Sequence, residues 1–208
     1  MRLHIGVSPG GGKSKGQASL IFTEHLEVAP EVMGGNVGAR HVVVHVERQS
    51  PVLEVVRDRI VEIAYAARER GDSPCFFIDA GSGIGVGLVR ILADLRRNGK
   101  FPMEVHAPHA YVQRGIARQG LVNSIVENYG GEKLRFATGI PLQAELIRAL
   151  ETYESQIADD GRVSYAGDEE MVIALGLSLA YPRHGERARF AQRNGQIVAN
   201  RSISTDPY

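Results

Sequence analysis

The run Phe76-Phe77-Ile78-Asp79 constrains the fold of this chain more than any other stretch of its sequence. With Cys75 before it, the run is apolar without alternation, the pattern of an inner strand covered on both faces of an α/β sheet. It ends in a carboxylate and passes at once into Gly81-Ser82-Gly83-Ile84-Gly85. An acid at the carboxyl end of an inner strand, beside an open turn, occupies the edge where such sheets carry their sites.

The flanking sequence supplies the rest of an α/β domain. Upstream, residues 3–7, 18–22 and 41–46 are rich in Val and Ile and read as three strands on short loops, an antiparallel meander. Between Pro51 and Arg70 the period changes, and Val52, Val55, Val56, Ile60, Ile63 and Ala64 recur at helical spacing. Pro51 suits a first-turn position and Gly71 the stop. After Asp79 come a helix over 86–98 and a fifth strand over 103–106, so strand, helix, strand, helix, strand implies parallel pairing with right-handed crossovers. Residues 116–129 read as helical and 133–136 as a short strand or loop. Leu142, Leu146, Leu150 and Tyr153 share one face of a helix expected over 142–157. Asp160-Gly161 marks a turn, residues 162–165 are extended, and 168–181 form a helix apolar on most sides that Pro182 ends. One domain is expected over 1–181, followed by a polar, Arg-rich tail over 182–208.

Composition narrows the function classes. With 208 residues the chain can bury a core without disulfides, and Cys75, its single cysteine, reads as an inert apolar thiol. Lys plus Arg and Asp plus Glu both count 24, so no global basic field announces a nucleic acid partner, although a local basic face is compatible with that total. The N-terminus lacks the apolar core of a secretory signal, and no apolar run reaches the roughly 20 residues that span a bilayer. A cytoplasmic protein without a membrane partner is the expectation.

Two glycine-rich stretches imitate nucleotide-binding motifs and fail. In Val7-Ser8-Pro9-Gly10-Gly11-Gly12-Lys13-Ser14 the first glycine of a phosphate loop is required at position 7, where Val7 stands. A strand follows this loop, so the helix N-terminus that would cradle phosphate is missing. The turn after Asp79 needs glycine at 86 or 88 to form a dinucleotide fingerprint, and carries Val86 and Leu88.

The remaining chemistry is acidic. Asp168-Glu169-Glu170 opens the last apolar helix, so carboxylates from two distant parts of the chain could converge with Asp79. Such oxygen ligands suit Mg²⁺ or Mn²⁺, and paired ions about 4 Å apart stabilise both oxygens of a phosphodiester displacement. The plainer account of Asp168, Glu169 and Glu170 is complementation of the helix dipole, and an Asp before glycine can be turn chemistry. His106 and His109 read as loop histidines. Lys13, Lys15, Arg114 and Arg118 could contact DNA phosphates, against the commoner role of solvated surface charge.

The order of these elements is ribonuclease H-like, and the chain resembles the nuclease domain of phage terminase large subunits and their relatives among Holliday-junction resolvases. The resemblance runs from the first strand and turn, Leu3 to Gly10, through Phe77 to Gly85, to Gly167-Asp168-Glu169-Glu170 and the apolar run behind it. It implies a DNA endonuclease using Mg²⁺ or Mn²⁺, with phage packaging proteins as partners. Asp79 would then be the second metal ligand, and Asp168, Glu169 or Glu170 the third, with Glu170 best placed. It also exposes a departure: such nucleases carry a metal-bridging aspartate on the first strand, where this chain has Ser8. A neutral hydroxyl there implies impaired catalysis, a site completed from elsewhere (Glu24 and Glu47 being available), or a non-catalytic module that binds DNA or protein. A nucleotide-binding α/β protein using residues 10–14 is a further alternative.

Overall fold

The computed structural model describes residues 2–10, 16–28, 38–81, 83–107, 116–157 and 163–179. Lys13, Lys15, His109, Arg114, the turn at Asp160-Gly161 and the tail from 182 lie outside them. Strands β1 (Arg2–Ser8), β2 (Ala18–Val28) and β3 (Gly38–Gln49) form the meander. Helix α1 (Leu53–Glu69), strand β4 (Cys75–Ile78), helix α2 (Gly83–Arg97) and strand β5 (Glu104–His106) follow. Then come α3 (Ile116–Gly130), β6 (Leu134–Phe136), α4 (Gln143–Glu151), the hairpin β7 (Glu154–Ile157) and β8 (Val163–Ala166), and α5 over 169–179.

The main sheet has the order β5-β4-β1-β2-β3-β6. β1, β2 and β3 pair antiparallel, β4 joins β1 and β5 joins β4 in parallel, and β6 adds a parallel strand outside β3. The antiparallel-then-parallel expectation therefore holds.

Because strand side chains alternate, each strand feeds two cores. Ile5, Val7, Leu20, Phe22, Phe76 and Ile78 point to one face, under Val56, Ile60, Ile63 and Ala64 of α1 and Leu88 and Leu92 of α2. Ile21, Val43 and Val46 point to the other, under Met171, Ala174 and Leu175 of α5 and Leu146 of α4. Phe77 joins that side with Leu121 of α3 and Leu177 of α5. Helix α5 is thus buried all round, as its apolar composition requires. Gly6 lets it approach: a Cβ there would run into the Ala174 carbonyl and lie 2.8 Å from the Ser178 nitrogen.

α1 ends as its sequence indicates. Gly71 has φ +78°, its N–H donates to Arg68 O, and the Asp72 N–H donates to Ala67 O, a paired closure of orphan carbonyls. Pro51, by contrast, precedes the cap at Val52 instead of entering the first turn. The helix expected over 142–157 stops at Glu151. Thr152 turns its hydroxyl onto Arg148 O at 2.9 Å, and Glu154–Ile157 pairs with Val163–Ala166 as a ribbon. Apolar spacing carried the helix too far because Leu142, Leu146 and Leu150 pack as expected while Tyr153 reaches the same core from beyond its end. Among the described residues no helix is long and apolar enough to cross a membrane.

Candidate metal-type site at the carboxyl edge of the sheet

β1 and β4 run side by side, with Val7 opposite Ile78. The Asp79 N–H continues the ladder onto Val7 O at 2.9 Å, which sets Asp79 beside Ser8 at the carboxyl ends of two parallel strands. Ser8 pairs with Ser19 of β2, and Ser19 with Arg48 of β3. One rung thus carries Asp79, Ser8, Ser19 and Arg48 across four strands.

The face of this rung follows from alternation. Ser8 shares its side with Gly6, on which α5 packs, and is buried at 3 % exposure. Ser19 is fully buried, and its hydroxyl has no hydrogen-bond partner. α5 brings its acidic head over the same rung. Glu170 lies one turn before Ala174, is 6 % exposed, and its carboxylate covers the backbone at Gly16, with Oε1 and Oε2 each 2.5 Å from where a Cβ of that residue would sit.

Asp79 is half-buried, and its Oδ1 accepts the Gly81 N–H at 2.8 Å. This is the turn chemistry that an Asp two residues before glycine permits. The glycine-rich stretch has a packing reason too: a Cβ at Gly85 would strike the Asp79 carbonyl, so α2 can begin directly above the strand end.

Asp168 has other partners. It forms a short ion pair with Arg48, and its Oδ1 lies 3.4 Å from the Met171 N–H in the manner of a helix cap. Arg48 also reaches Glu145 of α4 at 3.9 Å. Strands are spaced about 4.8 Å apart, so the backbone of Arg48, which holds Asp168, stands roughly 14 Å of sheet away from β4. Glu169 is the first helical residue and is partly buried.

Glu47 and Glu24 do not fill the gap at Ser8. Glu47 faces α1, where Arg59 donates to it twice, at 2.8 and 2.6 Å, and His45 Nε2 lies 3.0 Å away. Burial works against its charge, but the Arg59 hydrogen bonds and the positive charge of Arg59 and His45 hold its carboxyl below the usual range. Glu24 pairs with Leu3 at the far end of the sheet. His106 pairs with Phe77 in the β4–β5 ladder, and Arg118 lies within α3.

The sequence reading missed Arg48 and Ser19. Ser19 is set by its pairing with Ser8 across the β1–β2 ladder, a register that the residues alone do not fix. Arg48 depends on a bulge in β3 that no local pattern announces.

Asp79 stands beside Ser8 at the strand ends, and Glu170 stands over Gly16, three residues before Ser19, the partner of Ser8. Among the described residues no group of three His, Cys, Asp or Glu side chains could hold a metal ion. This donor set does not fit two divalent cations: Ser8 is neutral, and Asp168 is committed to Arg48.

No protein-family model matches the chain, and no curated protein sequence does. Solved structures do. The chain is similar to the large terminase nuclease from thermophilic phage G20c, with 11% identity and a TM-score of 0.54 over 88% of this chain and 82% of that one. The same nuclease with bound magnesium aligns at 12% identity and a TM-score of 0.54, over 86% and 80% of the two chains. The large terminase nuclease domain of Thermus phage P74-26 aligns at 13% identity and 0.52, over 86% and 79%. At such identities the likeness concerns the backbone, and it establishes that this chain has the ribonuclease H-like fold of phage large-terminase nuclease domains.

Proposed function

We propose that the protein is a DNA-acting module of the phage terminase nuclease type whose phosphodiester cleavage is impaired because Ser8 stands where the bridging carboxylate belongs. The observation that supports this reading is the gathering of Asp79, Ser8 and Glu170 at one end of the sheet, with a hydroxyl on the first strand beside the Asp79 acid. Asp79 and Glu170 are the surviving acids of the site, and Asp168 and Glu169 support the helix that carries Glu170. The magnesium bound by the G20c nuclease supports a hard dication as the cofactor of a site of this type. In this chain Ser8 removes a full negative charge beside Asp79, so binding of Mg²⁺ or Mn²⁺ is weak.

The test restores the acid. Ser8→Asp is expected to raise Mn²⁺-dependent nicking of plasmid DNA at least tenfold over the natural protein, and Ser8→Asp with Asp79→Asn to abolish the gain. Equal, robust cleavage by the natural protein and Ser8→Asp would overturn the impaired-site reading.

The Arg48–Asp168 pair favours a second reading, a non-catalytic module that binds DNA or a packaging protein, because it neutralises an acid at the helix head. Absence of cleavage in both proteins, with DNA retention that weakens as salt rises, would favour it. Lys13, Lys15, Arg114 and Arg118 are the proposed phosphate contacts.

A further inference from the structure

At the opposite end of the α5-covered face, three strands contribute histidines to one buried stack. His4 of β1 is 1 % exposed and His41 of β3 is 4 % exposed, with His25 of β2 between them. Ring centroids are 3.9 Å apart for His4 and His25, and 4.5 Å for His25 and His41. Phe77 of β4 closes the row at 5.2 Å from His4, and Cys75 lies opposite His4 in the ladder.

The hydrogen bonds fix how many protons this stack can carry. His25 Nε2 lies 2.9 Å from Ser178 O of α5; a carbonyl only accepts, so this nitrogen bears the hydrogen. His25 Nδ1 lies 2.8 Å from His41 Nδ1, and a single hydrogen can occupy that line. The pair therefore admits one extra proton at most; a second sets N–H against N–H. The first is itself opposed, since burial and the Lys133 charge favour the neutral His41 ring more than the Asn128 side chain favours the charged one. Thr23 reinforces the junction, its hydroxyl 2.8 Å from that of Ser178. His25 and Thr23 thus fasten the C-terminal part of α5, whose other end carries Glu170.

We infer that the His25–His41 pair is a proton-sensitive latch, closed while it holds at most one extra proton, whose further protonation sets N–H against N–H, releases α5 from the sheet and so couples acid pH to the acidic edge. The groups facing it are His4 from β1, Thr23 from β2, Cys75 and Phe77 from β4, Asn128 of α3, Lys133 before β6, and Ser178 from α5. For a base held below its ordinary value of 6.5 in the folded protein, stability is complete above that value and falls as pH drops below it. Each histidine alters the opening equilibrium by up to tenfold per pH unit. The latch is independent of the metal reading.

Hydrogen exchange of the α5 amides in the full chain, corrected for intrinsic rates, tests this. The opening constant is expected to rise at least tenfold between pH 7.5 and 5.5, and His41→Asn, which keeps an uncharged donor near Nδ1, to flatten that rise. An unchanged opening constant, or the same rise in His41→Asn, overturns the proposal. Should that variant not fold, ring ¹⁵N shifts of the natural protein decide: charging of both His25 and His41 without loss of α5 protection overturns it as well.

Discussion

The two faces of the central sheet are built from alternate residues of the same strands, yet they differ in kind. Toward α1 and α2, β1 and β2 present Ile5, Val7, Leu20 and Phe22, an ordinary apolar interior. Toward α5 they present His4, Gly6, Ser8, Ser19, Thr23 and His25, a mostly polar row broken by Ile21, under an apolar helix. Burying polar groups is costly unless they are bonded. Thr23 and His25 meet that requirement by bonding to Ser178 of α5. One face supplies cohesion, and the other positions groups at an edge.

The difference can be broken most forcefully on the apolar side. Phe76→Ala removes a fully buried ring and is expected to cost about 3–5 kcal/mol in urea unfolding, with the acidic edge otherwise intact. On the polar side, Gly6→Val forces a side chain into the Ala174 carbonyl; a loss of about 3 kcal/mol is expected, together with exposure of α5 amides to exchange. Removal of that loss by a smaller residue at position 174 would show that the clash is elsewhere than the backbone.

Smaller changes sharpen the comparison. Thr23→Val removes the hydroxyl that meets Ser178, whose own O–H still donates to Leu175 O, and should cost about 1 kcal/mol. Combined with Ser178→Ala it should cost less than the sum of the two single changes, which a double-mutant cycle in denaturant measures. Strict additivity would mean that the 2.8 Å contact contributes nothing.

The smallest effect belongs to Arg59→Gln on the α1 side, about 1 kcal/mol at pH 7, because the pair with Glu47 is partly solvated. The folded carboxyl of Glu47 is depressed from 4.5, so this stability is present above that value and lost as pH falls through the lower, folded one. The acid limb of a stability–pH curve should therefore flatten in Arg59→Gln.

Much of this was legible in the residues. The unalternating Cys75–Ile78 run lies between β1 and β5 as an inner strand. α1 stops just before Gly71, and α5 is as buried as its composition implied. Asp79 and Ser8 could be placed at one edge because each closes a strand. What local patterns missed depends on contacts far along the chain, as with β7, which pairs with β8 beyond a helix end that Thr152 caps.

The sequence by itself determined the order of the strands and helices of the main sheet and the carboxylate at the end of β4, because periodicity and residue chemistry are local properties. Tertiary structure decided which side chain completes the edge. Phe22 pairs with His45 but Thr23 with Val43, so Val44 is an extra residue in β3. With side chains alternating every residue, that insertion exchanges the two faces beyond it. It turns Glu47 outward to Arg59 and brings Arg48 inward to Asp168. Without the bulge an acid would sit beside Ser19 and Ser8; with it, a guanidinium does.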